Sequence, residues 1–404
     1  MAARELTMQE PMKVLNVVGT RSNLVKIAPL IAEMDRQPGL RPILVHTGQH
    51  YREAMSDQFF GELGIRQPDF DLGVGSGSHA SQTAEIMKRI EPVMLGVRPD
   101  LVVVGGDENS TLAAALTAVK LGMPVAHVDA GLRSFDRTMP EEINRALTDA
   151  ISTDLFVTEQ AGVENLRREG LSADHVYFVG NVMIDALLTF RSVWEERARI
   201  MGPRLGLEPG RPYAVLALHR SSNIDDPLRL AGLLDGVQAL VPHMPVVFPV
   251  HHQVWPRLAR HDLVLSDEDS PSRPREKRLI CLEPLAYLDF IALMSMARVV
   301  LTDCGGIQDE TTILRVPCLT LRDTTERRVT VTHGTNRVIG TDPRRIAPEV
   351  LQILDDPPRP TTPPPLWDGR AASRIVEILL SRQIAAGGHA RLIGGDAKYR
   401  EVVP

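Results

Sequence analysis

Apolar, strand-like runs alternate with amphipathic, helix-like stretches along this chain, and the alternation starts afresh halfway. Strand runs stand at 14–18, 42–46, 101–104, 125–128, 155–157 and 176–179. Between them, 26–36, 81–95 and 111–121 carry apolar residues at helical spacing. A second set of strand runs, at 213–218, 246–250, 279–282, 299–301 and 318–321, begins after Arg211. Alternating β and α elements bury both faces of a parallel sheet under the crossover helices. At 404 residues the chain exceeds one ordinary domain. The expected class is therefore α/β, with two doubly wound parallel-sheet domains over 12–190 and 205–355 and a cleft between them. The segment 191–212, with its prolines, glycines and charges, reads as a linker. The proline run at 355–365 (DDPPRPTTPPP) can be neither helix nor central strand. A helix is expected after it over 369–384, with flexible tails at 1–11 and 385–404.

Composition removes several function classes. The net charge of −6 gives no general electrostatic reason to bind nucleic acid. The three cysteines, Cys281, Cys304 and Cys318, have neither metal-ligand spacing nor the even count of a disulfide framework. The opening MAARELTMQEPMK lacks the apolar core of a signal peptide, and no apolar run is long enough to span a bilayer. A cytoplasmic protein that binds neither membrane nor metal is expected.

Chemistry-bearing residues gather where strands end, which is where open α/β sheets bind ligands. The stretch 125–145, VAHVDAGLRSFDRTMPEEINR, puts Asp129, Glu141 and Glu142 with Arg133 and Arg145 around one strand-to-helix passage. Carboxylates in that number at a strand end point to proton chemistry. Gly19-Thr20-Arg21 follows the first strand, and Arg21 and Lys26 add charge to an anion site made by a helix N-terminus. The turn is not G-x-G-x-x-G, so dinucleotide binding loses support. Gly105-Gly106-Asp107-Glu108-Asn109-Ser110 presents Asp107 to the cleft; an N-cap accounts for one polar residue of that cluster but not for all. His219-Arg220 ends the first strand of the second set and suits a phosphate or a proton shuttle. In Thr302-Asp303-Cys304-Gly305-Gly306, the paired glycines let a pyrophosphate approach the backbone, and Glu310 lies one turn onward for ribose hydroxyls. Arg322–Arg328 adds more phosphate-type donors.

In order along the chain, GTRSNLVKIAPL, TGQHY, GGDENSTLA, HVDAGLRSFDRTMPEEINR, GNVMIDALL, HRSSN, EPLAYLDFIALM, TDCGGIQDE and RDTTERR resemble the UDP-N-acetylglucosamine 2-epimerases. The resemblance runs from about Met12 to Asp342. It implies a GT-B architecture of two Rossmann-like domains, a C-terminal helix crossing back to the first domain, and a homodimer. It implies interconversion of UDP-GlcNAc and UDP-ManNAc with no NAD and no metal, through elimination of UDP to 2-acetamidoglucal and re-addition. Carried over by motif, Asp107, Asp129 and Glu141 correspond to the family's catalytic acids and His219 to its diphosphate-side histidine. Arg21, Lys26, Arg133 and Arg327 correspond to substrate contacts, Cys304, Gly305 and Gly306 to the phosphate turn, Glu310 to the ribose and Phe290 to the uracil. Gln49, His50 and His251 fall where a regulatory UDP-GlcNAc would bind.

The chain also departs from the family pattern. Asp129 stands where Glu is usual, which withdraws the carboxylate by roughly 1–1.5 Å, and a shift of that size can cost ~100-fold. Cys304 replaces a serine, Ser22-Asn23 replaces Pro-Glu or Pro-Asn, and Arg328-Val329 replaces Pro-Glu. His50-Tyr51-Arg52-Glu53 alters the pattern that accompanies the regulatory site. Three alternatives stay open: a hydrolysing epimerase that releases ManNAc and UDP, a GT-B glycosyltransferase on the same UDP site, and a binding homologue with impaired catalysis.

Overall fold

The computed structural model describes residues 10–49, 60–207, 211–251, 254–258, 279–356 and 362–389. Two wholly parallel sheets form. The first contains β1 (Met12–Val18), β2 (Leu40–His46), β3 (Phe70–Asp71), β4 (Leu101–Gly105), β5 (Val125–Ala130), β6 (Asp154–Val157) and β7 (Val176–Phe178), in the order β3-β2-β1-β4-β5-β6-β7. The second contains β8 (Ala214–Ala217), β9 (Val246–Pro249), β10 (Leu279–Leu282), β11 (Val299–Thr302), β12 (Cys318–Thr320) and β13 (Asn336–Val338), in the order β10-β9-β8-β11-β12-β13. Both are Rossmann-like, and together they make the expected GT-B arrangement. Each reverses its winding once, between β1 and β4 and between β8 and β11, and a crevice opens at such a switch point.

The central strands are buried along their whole length because helices cover both faces. Val102, Val103 and Val104 are wholly inaccessible, as are Val299, Val300 and Leu301. Such a continuous apolar run suits a doubly covered parallel strand. The helix Arg21–Met34 begins in a capping box: Asn23 N–H donates to Thr20 Oγ1, and Thr20 N–H donates to Asn23 Oδ1. No helix among the described residues is long and apolar enough to cross a membrane.

The structure corrects three sequence-based expectations. The stretch 191–212 is largely helical: Arg191–Arg204 is a helix that buries Trp194, Ala198 and Met201 and packs on the helix Tyr287–Ser295. Those three apolar residues are spaced at i, i+4 and i+7, and of the charges between them Arg197 reaches Glu62 at 2.8 Å and Asp289 of the facing helix at 3.0 Å. β3 and β13 were not expected, since two- and three-residue edge strands carry no apolar run. The last helix spans Ala371–His389, so the expected flexible tail over 385–404 begins inside it; 390–404 and the proline-rich stretch 357–361 lie outside the described residues.

That last helix returns to the first sheet and packs on the helices Arg21–Met34 and Val182–Thr189. Its Ala372 N–H donates to Asp185 Oδ2 at 2.7 Å, and Arg382 pairs with Asp154. Just before it, Trp367 Nε1 donates to the Thr158 carbonyl at 2.9 Å. The returning chain passes so close to Gly180, which sits at φ +90°, that a Cβ there would be driven into the Leu366 carbonyl. Gly180→Ala combines left-handed strain with a backbone clash. It is expected to lower stability by about 1–3 kcal/mol, read as a shift in urea midpoint; an unchanged midpoint would show that the crossing segment is loosely held.

Candidate active site

The ends of β1, β4 and β5 face the ends of β8, β11 and β12 across one cleft, and charged side chains from both sheets meet there. Asp129 lies at the end of β5, where the pairing with β6 shifts register between Val128 and Ala130. Its φ of +72° is a conformation that Asp tolerates better than most residues. The next residue, Gly131, also has positive φ, and a Cβ there would come within 2.5 Å of the Gly162 carbonyl oxygen. The tight turn aims Asp129 at two cations. Lys26 Nζ lies 2.8 Å from Asp129 Oδ2, and Arg327 Nη2, from the second sheet's side, lies 3.3 Å from it. Burial favours the neutral acid, but Lys26 and then Arg327 outweigh it and hold the carboxyl far below its usual range. Lys26 is pushed the other way: burial opposes its charge, yet Asp129 and Glu108 raise it above an ordinary lysine.

Asp107 follows β4 and pairs with Arg145 of the helix Pro140–Ile151. Burial is outweighed by Arg145 and Lys26, so Asp107 also titrates below the usual carboxylate range. Arg145 Nη1 binds Glu142 Oε2 at 2.5 Å, and Glu142 accepts the Ser134 and Phe135 N–H groups at 3.0 and 2.8 Å. Glu141, one residue earlier, is half-exposed and points across the cleft to Arg220 Nη1 at 3.7 Å.

On the facing side, Asp303 at the end of β11 organises the turn after β8. It accepts the His219 N–H at 3.1 Å, the Arg220 N–H at 3.2 Å and the Asn223 amide at 3.1 Å. His219 Nδ1 is 3.4 Å from the same carboxylate. Desolvation in the cleft nevertheless takes the imidazole below its ordinary value. Glu326 lies 2.8 Å from Arg322 and 3.6 Å from Arg220. Burial is overcome by Arg322 and Arg220, and the Glu326 carboxyl is held well below normal.

The turn Cys304-Gly305-Gly306 opens the helix Gly305–Leu314, whose N-cap residue Cys304 makes no side-chain cap hydrogen bond. The first N–H groups of this helix are therefore not capped by that side chain. A Cβ on Gly305 would run into Glu326 Oε1, and one on Gly306 would meet Met183 Cε at 2.9 Å, so a side chain at either position would have to displace the end of its neighbour. Further along, burial raises Glu310 to about 8 beside Tyr287. Phe290 is half-buried on the same helix as Tyr287.

Of the residues expected from sequence, Lys26, Asp107, Asp129, Glu141, His219, Cys304, Gly305, Gly306 and Arg327 border this cleft. Arg21 is half-buried, and desolvation lowers its pKa despite Glu62. Arg133 is committed elsewhere: its guanidinium is held by Asp149 at 2.7 Å and by Glu169 at 2.6 Å, where it braces the turn behind Asp129. Gln49 is buried and accepts from the Ser110 N–H and hydroxyl at 3.1 and 2.6 Å. His50 lies outside the described residues. The ring of His251 sits 6.3 Å from that of His219. The sequence reading did not single out Asp309, Glu159, Asn181 or Glu326, each buried in or beside the cleft. Glu326 stands inside the RDTTERR run, where its arginine neighbours drew the attention. Among the described residues no group of His, Cys, Asp and Glu is arranged to hold a metal ion. A groove of about 600 Å³ lined by Trp194, Met296 and Leu314 holds none of the cleft acids, so chemistry rather than volume places the site.

Residues 32–380 match the sequence profile of the family described as UDP-N-acetylglucosamine 2-epimerase. A UDP-N-acetylglucosamine 2-epimerase of Methanocaldococcus jannaschii is 38% identical, over 91% of this chain and 99% of its own. A UDP-2,3-diacetamido-2,3-dideoxy-D-glucuronate 2-epimerase of Pseudomonas aeruginosa is also 38% identical, over 81% of this chain and 88% of its own. The crystal structure of the M. jannaschii UDP-GlcNAc 2-epimerase in complex with UDP-GlcNAc and UDP matches with a TM-score of 0.84, covering 92% of this chain and 100% of that one. With this fold, these turns and these relatives, the chain belongs to the UDP-N-acetylglucosamine 2-epimerase family of isomerases.

Proposed function

We propose that this chain interconverts UDP-GlcNAc and UDP-ManNAc without hydrolysis. One observation carries the reading. Asp107 and Asp129, at the ends of neighbouring strands of the first sheet, and Glu141, in the first turn of the helix Pro140–Ile151, share a cleft with His219, Arg220 and the Cys304-Gly305-Gly306 turn of the second. The C2 proton of the sugar has no adjacent carbonyl to acidify it. Breaking the C1–O bond sends the electron pair to UDP and leaves oxocarbenium character at C1. A carboxylate then takes the C2 proton, and 2-acetamidoglucal forms. Return of a proton to the other face of C2, with attack of a UDP oxygen on C1, completes the epimerisation. Ionised carboxylates held by buried cations, as at Asp107 and Asp129, suit stabilisation of the developing cation. Backbone N–H groups at Gly305 and Gly306, with Arg21, Lys26, His219 and Arg220, would hold the leaving diphosphate. Glu310 would take the ribose and Phe290 the uracil.

Incubation with UDP-GlcNAc in D2O, followed by NMR, tests the reading. The expected product is UDP-ManNAc with deuterium at C2. Free ManNAc and UDP would replace the reading with the hydrolysing one. An absence of exchange at C2 would point to a transferase or a binding protein. A second reading is favoured by the equal identity of the Pseudomonas aeruginosa relative. In that reading the sugar is a UDP-2,3-diacetamido-2,3-dideoxy-D-glucuronate. The same assay with that nucleotide sugar, turning over faster than UDP-GlcNAc, would establish it.

A further inference from the structure

The run GNVMIDALL has no part in the mechanism above, yet its asparagine reaches the second sheet. Asn181 caps the helix Val182–Thr189, its side-chain oxygen accepting the Met183 N–H at 2.9 Å. Its amide nitrogen donates to Asp309 Oδ2 at 3.1 Å. Asp309 belongs to the helix Gly305–Leu314 and is wholly buried. Arg327 Nη1 lies 3.1 Å from the same Oδ2, and Arg327 Nη2 returns across the cleft to Asp129. The chain Asn181–Asp309–Arg327–Asp129 thus crosses between the two sheets twice.

Arg327 needs something to aim it. Four rotatable bonds carry its planar fork, and other acids compete for it, Glu326 and Asp107 among them. Its Nε and Nη1 make no hydrogen bond, so the guanidinium is placed by the Nη2 hydrogen bond to Asp129 and by the Asp309 charge 3.1 Å from Nη1. Asp309 in turn is fixed from the opposite sheet by an asparagine that the helix cap holds rigid.

We propose that Asp309, anchored across the cleft by Asn181, is a positioning residue: it aims Arg327 at Asp129 and so sets the orientation of the Asp129 carboxylate. This rests on the reading that Asp129 handles charge or protons at the sugar. Asp309 does not touch the reacting atoms; it acts through Arg327.

The charged groups facing Asp309 are Arg327 and Lys26, which favour its ionised form, and Asp129, which opposes it. Glu159 and Glu310, whose own carboxyls are raised in part by Asp309, also oppose it. Burial prevails and sets the Asp309 carboxyl at about 7. Its hold on Arg327 therefore weakens as pH falls through that value.

The test compares Asp309→Asn, Asn181→Asp and the double exchange with wild type, using UDP-GlcNAc and reading kcat, KM and melting temperature. Asp309→Asn removes the charge at constant shape. Its kcat is expected to fall about 100-fold, the cost of a misplacement of about 1 Å, with KM changed less than about threefold, the split of an interaction made in the transition state. The ratio of wild-type to variant kcat should shrink as pH falls below about 7. Asn181→Asp keeps the helix cap but sets two carboxylates against each other, and kcat should fall again. The double exchange restores a donor–acceptor pair between the sheets without restoring the charge beside Arg327. Recovery of melting temperature without recovery of kcat supports the proposal. Full recovery of kcat in the double exchange overturns it, as does Asp309→Asn turning over at the wild-type rate with only its melting temperature lowered. Should Asp309→Asn fail to fold, wild-type kcat in Asn181→Asp overturns the proposal equally. A wild-type protein that epimerises nothing is a different result, and it strikes the proposed function instead.

Discussion

Asp129→Asn is expected to lower epimerase turnover by about 10³-fold, within the 10²–10⁴ range of positioned acid–base groups. It should also weaken the fold. Both effects follow from the same geometry. The Asp129 carboxylate is 1% exposed and carries Lys26 at 2.8 Å and Arg327 at 3.3 Å. A neutral amide removes the charge that, in the proposed function, stabilises the developing cation. It also leaves two buried cations without their shared anion, and breaking a buried pair from one side costs about 3–5 kcal/mol. The sign with pH is definite. The native carboxyl titrates below its unfolded value of 3.8, so its stabilisation is fully present above that pH and is lost as pH falls through the folded pKa. The gap in urea midpoint between wild type and variant should therefore be wide at pH 7 and narrow in acid. A variant keeping more than a tenth of wild-type turnover would remove Asp129 from the chemistry. Asp129→Glu keeps the charge but moves it outward past two fixed cations, and it should fall between the wild type and the amide.

Arg145→Met should damage the protein from the helix Pro140–Ile151, which follows the Asp129 turn. Arg145 is 1% exposed and holds Asp107 and Glu142 together, with Glu326 close enough to reinforce its charge. Methionine fills much of the space but leaves the carboxylates facing one another. The expected loss is about 3–5 kcal/mol, the cost of orphaning buried charge. Asp107 should then titrate above its wild-type value, since Arg145 heads the influences that lower it. Unlike wild type, the variant should gain stability as pH is lowered toward 5, because protonation relieves the repulsion. Turnover is expected to fall as well, since the proposed function uses an ionised Asp107. Denaturant melts at pH 5 and 7.5 read the effect, and a stability loss that does not depend on pH would show that Arg145 acts by packing alone.

Much of the fold was legible because its information is local. The runs at 101–104 and 299–301 are short, continuous and rich in valine, and the structure buries them as β4 and β11. β3 and β13 were not legible: at two and three residues they owe their existence to a neighbouring strand's free edge, not to a pattern of their own. The segment around Trp194 was misread for a related reason. Its charges are continuous in sequence, but its three buried residues line up only once the chain is wound and pressed on the helix Tyr287–Ser295.

The cleft divides in the same way. Residue type and position at strand ends pointed to Asp107, Asp129, Glu141 and His219, because a turn after a parallel strand must open toward the switch point. Whether an arginine there serves substrate or scaffold could not be read from its neighbours. Arg133 and Arg327 both lie in turns after strands, yet Arg133 is taken up by Asp149 and Glu169 while Arg327 bridges the sheets. The sequence by itself determined the two windings, the strand ends where chemistry collects, and the family. The tertiary structure alone decided which acids are held ionised and which retain a proton, Asp129 far below its usual range and Asp309 at about 7. The reason is physical: a carboxyl's pKa is set by burial and by charges a few ångströms away. The charges that matter here, such as Arg327 against Asp129, lie 198 residues apart along the chain.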